Sequence, residues 1–434
     1  MYINTNELLL YKYFHRPDIF EDLSWVINNY QSKAYSKETI KSRLYEGLHK
    51  LVQFSVDHGF SGNLFHCYLT YILITNENAF SRSCEVSDTP SGTIKELVLN
   101  DFNILKKLYD FDLSLIDDVL QTQSLNIIKT YISSDTEKNI NNSLPSFEEL
   151  VNSLSLSGDE HTFYKILTGF YKKFGVGKFG LNKAFRVIHA DKTIELKPIT
   201  NTESILLNDL VGYELQKKEL IKNTEAFVQG RKANNVLLYG DSGTGKSSSI
   251  KAILNEYYKH GLRMIEVYKH QMKDLPLILE QIKDRKYKFI IYMDDLSFED
   301  FETDYKYLKA VIEGGLEAKP ENVLIYATSN RRHIIREKWS DKNDRDDDLH
   351  TNDTVQEKLS LSARFGLPIL YIAPNRKEFQ QIVKVLADKY HITIPEEELY
   401  LEANRWELRN GGLSGRTAQH FITYLLGKKK SIEL

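Results

Sequence analysis

The sequence lacks the features that mark secreted, membrane-spanning or strongly charged proteins. Its 434 residues include two cysteines, Cys67 and Cys84, too few for a disulfide framework and typical of reduced thiols. No apolar run reaches the length that a bilayer requires, and the N-terminus lacks the basic segment and apolar core of a signal peptide. The formal net charge of -3 gives no general reason to expect nucleic acid or anionic membrane as a partner. We therefore expect a cytoplasmic protein without a membrane span.

The composition that is present suits a globular chain with a substantial core. Hydrophobic residues make up 41% and charged residues 27% of the sequence, and the length allows two or three domains. His333 and His350 stand alone, without the spacing of metal ligands, so the histidines do not predict a metal site.

The first part of the chain carries helical patterns and no motif that indicates chemistry. The polar stretch Ser133–Ser143, just before Leu144 and Pro145, is the best candidate for a flexible linker. We predict that residues 1–200 form a mostly helical region. Apolar residues recur there at helical spacing over Leu8–Phe14, Phe20–Ile27, Leu44–Phe54, Phe65–Ile74 and onward from Phe147 to Phe174.

From about residue 205 short apolar runs alternate with amphipathic segments. This alternation predicts an α/β, three-layer αβα domain with a parallel sheet over residues 205–373, and a C-terminal helical lid over residues 374–434. The strand candidates are Asn235–Tyr239, Arg263–Val267, Phe289–Met293, Val323–Ala327 and Leu367–Ile372. The helix candidates are Ser247–Tyr258, Met272–Ile282, Tyr305–Glu317 and Val355–Arg364, followed in the lid by Glu378–Tyr390, Pro395–Arg409 and Ser414–Leu426.

One segment has the order of parts that phosphate binding needs. An apolar run ending at Tyr239 leads into a glycine-rich loop, and a helical pattern follows from Ser248. Glycines let backbone N–H groups curl towards phosphate oxygens, and the helix N-terminus adds further donors. Lys246 can reach the β- and γ-phosphates, while the Ser247 hydroxyl can ligate Mg²⁺. The loop therefore predicts a nucleoside triphosphate site formed by Gly240, Asp241, Ser242, Gly243, Thr244, Gly245, Lys246, Ser247 and Ser248.

Two carboxylates follow the apolar run Phe289–Met293. Asp294 is positioned to hold Mg²⁺ at a neighbouring strand tip, and Asp295 to serve as base or orienting group for an attacking water. Alone, such a pair would be an ordinary strand end. Following a strong phosphate loop, it favours the functional interpretation.

Three polar residues further along could complete the site. Asn330 follows the run Val323–Ala327 and can hydrogen-bond water and the γ-phosphate, although asparagine also favours turns at strand ends. Arg364 precedes the last strand candidate, and an arginine supplied across a subunit contact can neutralise charge during phosphoryl transfer. Arg416 opens the last helix and could point from the lid towards the phosphates. Taken alone, Arg364 would be a capping or salt-bridging residue and Arg416 a surface residue.

This ordered set resembles the AAA+ ATPases over about residues 205–434. One bacterial AAA+ family catalogued as a domain of unknown function is most similar in the segments Asp209–Tyr213, Asn223–Phe227, Ala233–Gly240, Asp294–Glu299, Ala327–His333 and Lys358–Ser362 with Arg364–Gly366. The resemblance implies ATP and Mg²⁺ as cofactors, and a homo-oligomer whose arginine finger, Arg364, acts in trans. It also implies that Asn330 and Arg416 are sensors and that Val211 and Gly212 belong to the adenine pocket.

Two departures from the AAA+ pattern bear on activity. The second acidic residue is Asp295, where most members have glutamate, although Glu299 is nearby. The shorter reach of Asp295 favours slow hydrolysis. Tyr268–Asp274 lacks the aromatic–hydrophobic–glycine loop of protein-threading unfoldases, which argues against an unfoldase motor. We expect a slow ATPase that acts on a protein or nucleic-acid partner selected by the N-terminal region. The alternatives are an ATP-controlled switch or loader with little turnover and, less favoured, a P-loop kinase of a small acceptor.

Overall fold

The computed structural model divides the chain into two compact units, Met1–Asn182 and Lys183–Leu434. It describes residues 2–86, 90, 92–133, 147–190, 193–298, 304–313, 319–330 and 363–430. Several sequence-based candidates lie outside these residues, namely most of the linker Ser133–Ser143, Glu299, the histidines at positions 333 and 350, Lys358–Ser362, and the helix candidate Val355–Arg364 apart from its last two residues.

The first unit is built mainly of helices over its described residues. Apolar side chains spaced three and four apart bury one face of each long helix, and residues such as Leu44, Leu48 and Leu51 become almost inaccessible to solvent. Cys67 and Cys84 lie in this core as free, buried thiols. The helices are α1 (Pro17–Asn29), α2 (Lys37–His58), α3 (Leu64–Thr75), α4 (Ala79–Val86), α5 (Thr93–Tyr109), α6 (Ser114–Leu120), α7 (Ser124–Lys129), α8 (Phe147–Ser155), α9 (Glu160–Phe174) and α10 (Gly177–Leu181).

The helical spacing over Leu8–Phe14 is misleading, because this segment forms bends. The buried carboxylate of Asp101 accepts hydrogen bonds from the backbone N–H groups of Leu9, Leu10 and Tyr11, at 2.9, 2.8 and 3.0 Å. A helix would direct those N–H groups to its own carbonyls. The contact with Asp101, far away in sequence, therefore overrides the local pattern.

The second unit is built on a seven-stranded sheet with the order β2-β1-β4-β5-β6-β3-β7. β1 and β2 are antiparallel, and every other neighbouring pair is parallel. The central strands are buried, and β6 is buried over its whole length, as expected for a sheet covered by helices on both faces. The strands are β1 (Ala184–Ala190), β2 (Thr193–Pro198), β3 (Val236–Gly240), β4 (Leu262–Glu266), β5 (Lys288–Met293), β6 (Val323–Ser329) and β7 (Leu367–Tyr371).

Helices connect the parallel strands, and three more form the lid. Around the sheet lie α11 (Glu214–Val228), α12 (Lys246–Tyr257), α13 (Leu275–Ile282) and α14 (Tyr305–Glu313). The lid consists of α15 (Arg376–Lys389), α16 (Glu396–Arg409) and α17 (Gly415–Lys430), which share an apolar cluster that includes Phe379 and Phe421. No helix among the described residues combines the length and hydropathy needed to cross a membrane.

The αβα sheet and the helical lid confirm the predicted fold class. The five strand candidates of the sequence correspond to β3–β7, with ends shifted by at most two residues. The hairpin of β1 and β2 is not among those candidates, and it extends the sheet of the second unit back to Ala184.

Candidate functional site

The loop after β3 has a backbone that a side chain would disrupt. Gly240 has a φ of 128°, and a Cβ at this position would lie 2.0 Å from the Tyr371 carbonyl oxygen of β7. The Asp241 N–H donates to that same oxygen at 2.9 Å. Gly245, with a φ of 91°, is the N-cap residue just before α12, and nothing lies within 4 Å of its ideal Cβ position. The glycines thus shape a loop that ends at a helix N-terminus, where free N–H groups favour anions.

Lys246 places its cation against this loop. Its Nζ donates to the carbonyls of Gly240 and Asp241 at 2.9 and 2.6 Å and to the Oδ1 of Asn330 at 3.1 Å. Burial lowers the pKa of Lys246, while the carboxylates of Asp241, Asp295 and Asp294 oppose that shift. A buried lysine that faces carbonyls and carboxylates is well suited to bind an anion.

Ser247 and Asp294 form the second contact of the site. The Ser247 hydroxyl donates to Asp294 Oδ1 at 2.7 Å, and the Thr328 hydroxyl donates to the same oxygen at 2.6 Å. Desolvation opposes ionisation of Asp294, but hydrogen bonds from Ser247 and Thr328 outweigh it and hold the pKa below its ordinary value. Asp294 is therefore a carboxylate at neutral pH, beside a hydroxyl oxygen.

Asp295 follows in a left-handed conformation, with a φ of 49°. Its backbone N–H donates to the Thr328 hydroxyl at 2.9 Å, and its Oδ1 accepts a hydrogen bond from Asn330 Nδ2 at 2.8 Å. Because Asn330 Oδ1 accepts from Lys246, this asparagine bridges the phosphate-loop cation and the second carboxylate. The ends of β3, β5 and β6 therefore bring Lys246, Asp295 and Asn330 together.

The lid closes against the phosphate loop through Arg416. Its backbone N–H donates to the Gly243 carbonyl at 3.2 Å, and a Cβ on Gly243 would lie 3.0 Å from the Ser414 hydroxyl. Arg416 lies at the start of α17 and lines the same cavity as Lys246. A guanidinium here adds positive charge to a site that already contains a lysine and a helix N-terminus.

A cavity of about 890 Å³, within the usual size range of small-molecule sites, is lined by Lys246, Ser247, both aspartates, Asn330 and Arg416. Part of its lining is apolar, and Val211 also packs against the apolar cluster of the lid. Asp209 and Lys389 form an ion pair that joins the segment before α11 to the lid helix α15. The apolar wall consists of Ile205, Leu210, Val211, Ile382 and Leu386.

Arg364 lies at the opposite edge of the sheet. The start of β7, Leu367, pairs with Val236 at the start of parallel β3, whereas the phosphate loop follows the end of β3. The five residues of the strand separate the two edges by about 16 Å. Arg364 forms an ion pair with Glu313 at the end of α14. The Arg364 side chain is thus placed away from the phosphate loop of its own chain.

The cavity gathers most of the residues that the sequence singles out, and others besides. Ser242–Ser248, Val211, Asp294, Asp295, Asn330 and Arg416 line it, whereas Gly240, Asp241, Gly212 and Arg364 are not among the lining residues. Sequence reasoning missed Thr328, although a threonine in an otherwise apolar buried run is a usable signal. It also missed the pair of Asp209 and Lys389, for which the sequence offers no signal.

The fold and the site together define the class of protein. The phosphate loop follows β3, the two carboxylates follow β5 and the asparagine follows β6, in a parallel sheet that a helical lid completes. This is a P-loop nucleotide-binding domain of the AAA+ ATPase superfamily. The chain belongs to the family described as "Protein of unknown function (DUF815)", which matches residues 181–429, more than half of its length.

The other similarities either cover a small share of the chain or are structural superpositions with low TM-scores. A stretch of 51 residues is 41% identical to the replication factor C large subunit of Methanococcus vannielii; it covers 12% of this chain and 10% of that protein. The Thermotoga maritima RuvB Holliday junction branch migration motor matches at 14% identity over 51% of this chain and 72% of its own, with a TM-score of 0.33. The FIGL-1 AAA domain in complex with ADP matches at 18% identity over 50% and 70%, with a TM-score of 0.35. The chain thus spans about a tenth of the replication factor C subunit, and the structural likenesses are too distant to carry an argument.

Proposed function

We propose that this protein binds and hydrolyses MgATP and uses the resulting conformational change to act on a macromolecular partner. The observation that carries the proposal is the convergence of Lys246, the Ser247–Asp294 contact and the Asp295–Asn330 contact on one cavity. The negative charge of a bound triphosphate would be matched by the hydrogen-bond donors of the loop and by the positive charges of Lys246 and Arg416. The apolar side chains among the lining residues suit the flat, largely apolar face of adenine.

The donor set fits Mg²⁺. Ser247 Oγ and the ionised Asp294 carboxylate are hard oxygen donors 2.7 Å apart. Mg²⁺ in such sites takes one or two protein oxygens together with substrate phosphate and water. The described ranges contain no group of three or more His, Cys, Asp or Glu side chains suited to a metal. When bound, the ion neutralises phosphate charge.

The reaction is assigned to Asp295 and Asn330. Asp295 accepts the proton of the attacking water or orients that water towards the γ-phosphate, and the 2.8 Å hydrogen bond from Asn330 fixes its carboxylate. Lys246 neutralises charge on the β- and γ-phosphates, and Arg416 contributes from the lid. Closure of the lid around Arg416 would then couple nucleotide state to the angle between lid and sheet.

We further propose a homo-oligomer in which Arg364 of one subunit completes the site of its neighbour. Arg364 lies about one strand length from the phosphate loop of its own chain. A head-to-tail contact between identical chains would bring the two edges together. The ion pair with Glu313 holds the guanidinium at the surface from which it would act.

A second candidate function is an ATP-controlled switch with negligible turnover. The observation in its favour is the short reach of Asp295, whose carboxylate is already engaged by Asn330. In either function the helical first unit would select the partner, a protein or a nucleic acid. An Asp295→Asn variant that retains ATP would be the bait with which to recover that partner.

Phosphate release measured against protein concentration separates the two functions. If neighbours complete the site, the turnover per chain rises as the protein self-associates, and a Lys246→Ala variant shows none. ATP binding without turnover at any concentration would leave the switch as the function. Failure of the wild-type protein to bind ATP at all would contradict both.

A further inference from the structure

We propose that Thr328 is the positioning residue of this site, which holds the metal-binding carboxylate of Asp294 and the backbone of Asp295 in one arrangement. The inference rests on the proposed function, since it assigns the two carboxylates their roles. Thr328 lies on β6 and is 2% exposed. Among the described residues, the Thr328 hydroxyl forms hydrogen bonds with the two aspartates and none with the phosphate loop or Asn330. It would therefore act through the two aspartates.

The direction of each hydrogen bond at the Thr328 hydroxyl is fixed by its partners. The Asp295 N–H can only donate, and it lies 2.9 Å from Thr328 Oγ1. The Oγ1 proton is therefore directed to Asp294 Oδ1, 2.6 Å away, which as a carboxylate can only accept. One hydroxyl thus connects the backbone of the second aspartate to the side chain of the first.

The backbone of Thr328 also holds the segment that follows Asp294, at a second point. Its carbonyl oxygen accepts a hydrogen bond from the Leu296 N–H at 2.7 Å. Between these contacts Asp295 adopts a φ of 49°, a left-handed conformation that is uncommon outside glycine, although aspartate adopts it more readily than most residues. Such a conformation persists where neighbouring contacts determine it. Thr328 supplies two of those contacts, one from its hydroxyl and one from its carbonyl.

The place of Thr328 in the sheet suits this role. β6 lies between β5, which carries the two aspartates, and β3, which carries the phosphate loop. Thr328 pairs with Leu238 of β3, and its neighbour Ala327 pairs with Met293, the residue before Asp294. The hydroxyl therefore sets Asp294 Oδ1 at the position where Ser247 Oγ also meets it.

The decisive variant is Thr328→Val, which keeps the shape of the side chain and removes the hydroxyl. Thr328→Ser restores the hydroxyl and loses a methyl group. Thr224→Val is the matched control, because Thr224 is also a buried threonine of the second unit whose hydroxyl contacts Tyr326 and Leu220, away from the cavity. Thermal unfolding of all three variants gives the structural cost of the substitution.

The readout is the coupling between Mg²⁺ and ATP, measured as the affinity for a fluorescent ATP analogue with Mg²⁺ and with EDTA. We expect Thr328→Val to bind like wild type in EDTA and to need about 10-fold more Mg²⁺ for half-maximal tightening. Thr328→Ser and Thr224→Val should match wild type. Where turnover is measurable, Thr328→Val should lower kcat more than it changes KM, because Asp294 and the backbone of Asp295 lose the hydroxyl that positions both of them.

Wild-type coupling in a folded Thr328→Val variant would overturn the positioning role. A loss of Mg²⁺ coupling shared equally by Thr224→Val would overturn it too, by showing a general effect of losing a buried hydroxyl. If Thr328→Val does not fold, the same measurement on Thr328→Ala decides in the same way. Failure of the wild-type chain to bind the analogue in either buffer would instead contradict the proposed function itself.

Discussion

Replacing Asp295 by asparagine removes one negative charge from the site and leaves the shape of the side chain nearly unchanged. The structure indicates that the fold tolerates this change. Asparagine accepts a left-handed φ such as 49° about as readily as aspartate does. Its amide oxygen can still accept the hydrogen bond from Asn330 Nδ2. We therefore expect the free energy of unfolding to change by less than about 1 kcal/mol.

The expected loss in catalysis is much larger. A positioned general base contributes about 10²–10⁴-fold to a rate, which corresponds to roughly 3–5 kcal/mol of activation free energy. Asparagine cannot accept the proton of the attacking water, so turnover should fall by that factor. ATP affinity should stay equal or rise, because one negative charge near the triphosphate is removed.

Steady-state phosphate release and equilibrium binding of a fluorescent ATP analogue test this expectation together. Glu321→Gln is the control for loss of a carboxylate, since Glu321 is exposed before β6, at the sheet edge away from the phosphate loop. Turnover of Asp295→Asn within about threefold of wild type would refute the assigned role, because so small a loss in rate lies far below the contribution of a general base. A parallel loss of ATP binding would instead assign the residue to nucleotide affinity.

Three further predictions concern the loop and the metal ligand. Lys246→Ala should weaken ATP binding by about 100-fold or more, since charge-assisted contacts to the phosphates are lost, as calorimetry would measure. Gly240→Ala should lower the free energy of unfolding by about 2–4 kcal/mol in denaturant titrations, because its Cβ meets a backbone oxygen; Gly245→Ala, with open space around it, should cost only about 1–2 kcal/mol. The folded pKa of Asp294 lies below its ordinary value of 3.8, so its ionised form stabilises the fold above that pH and the stabilisation is lost as the pH falls further. The deficit of Asp294→Asn in unfolding free energy should therefore be present at pH 7 and shrink on acidification below 3.8.

The strands that carry the site could be predicted because each is a short buried run that ends in chemically distinctive residues. Gly240, Asp294 and Asn330 all follow such runs, and parallel strands bring their carboxyl ends to one edge. The hairpin of β1 and β2 gave no comparable signal. Arg186 and His189 interrupt the apolar pattern of β1, and an antiparallel pair beside a parallel sheet is not implied by βα alternation.

Contacts between residues distant in sequence set the limit of prediction. Asp101 bends the segment Leu9–Tyr11, and Asp209 forms an ion pair with Lys389 of the lid, without any local pattern that indicates either pairing. Arg364 was found through family resemblance, yet its distance from the phosphate loop follows only from the register of β7 against β3. The register depends on which residues of β7 and β3 pair in the folded sheet, and the spacing of residues along the chain does not specify it.

The measurement that tests the central claim most directly mixes two inactive variants. Lys246→Ala lacks a working nucleotide site but retains Arg364, whereas Arg364→Ala retains the site but lacks the arginine. If Arg364 acts on the neighbouring subunit, an equal mixture should recover up to about a quarter of the wild-type phosphate release, because about half of the sites are intact and about half of their neighbours supply the arginine. Phosphate release that stays at the level of the separate variants, in mixtures shown to co-assemble, would contradict a site shared between subunits.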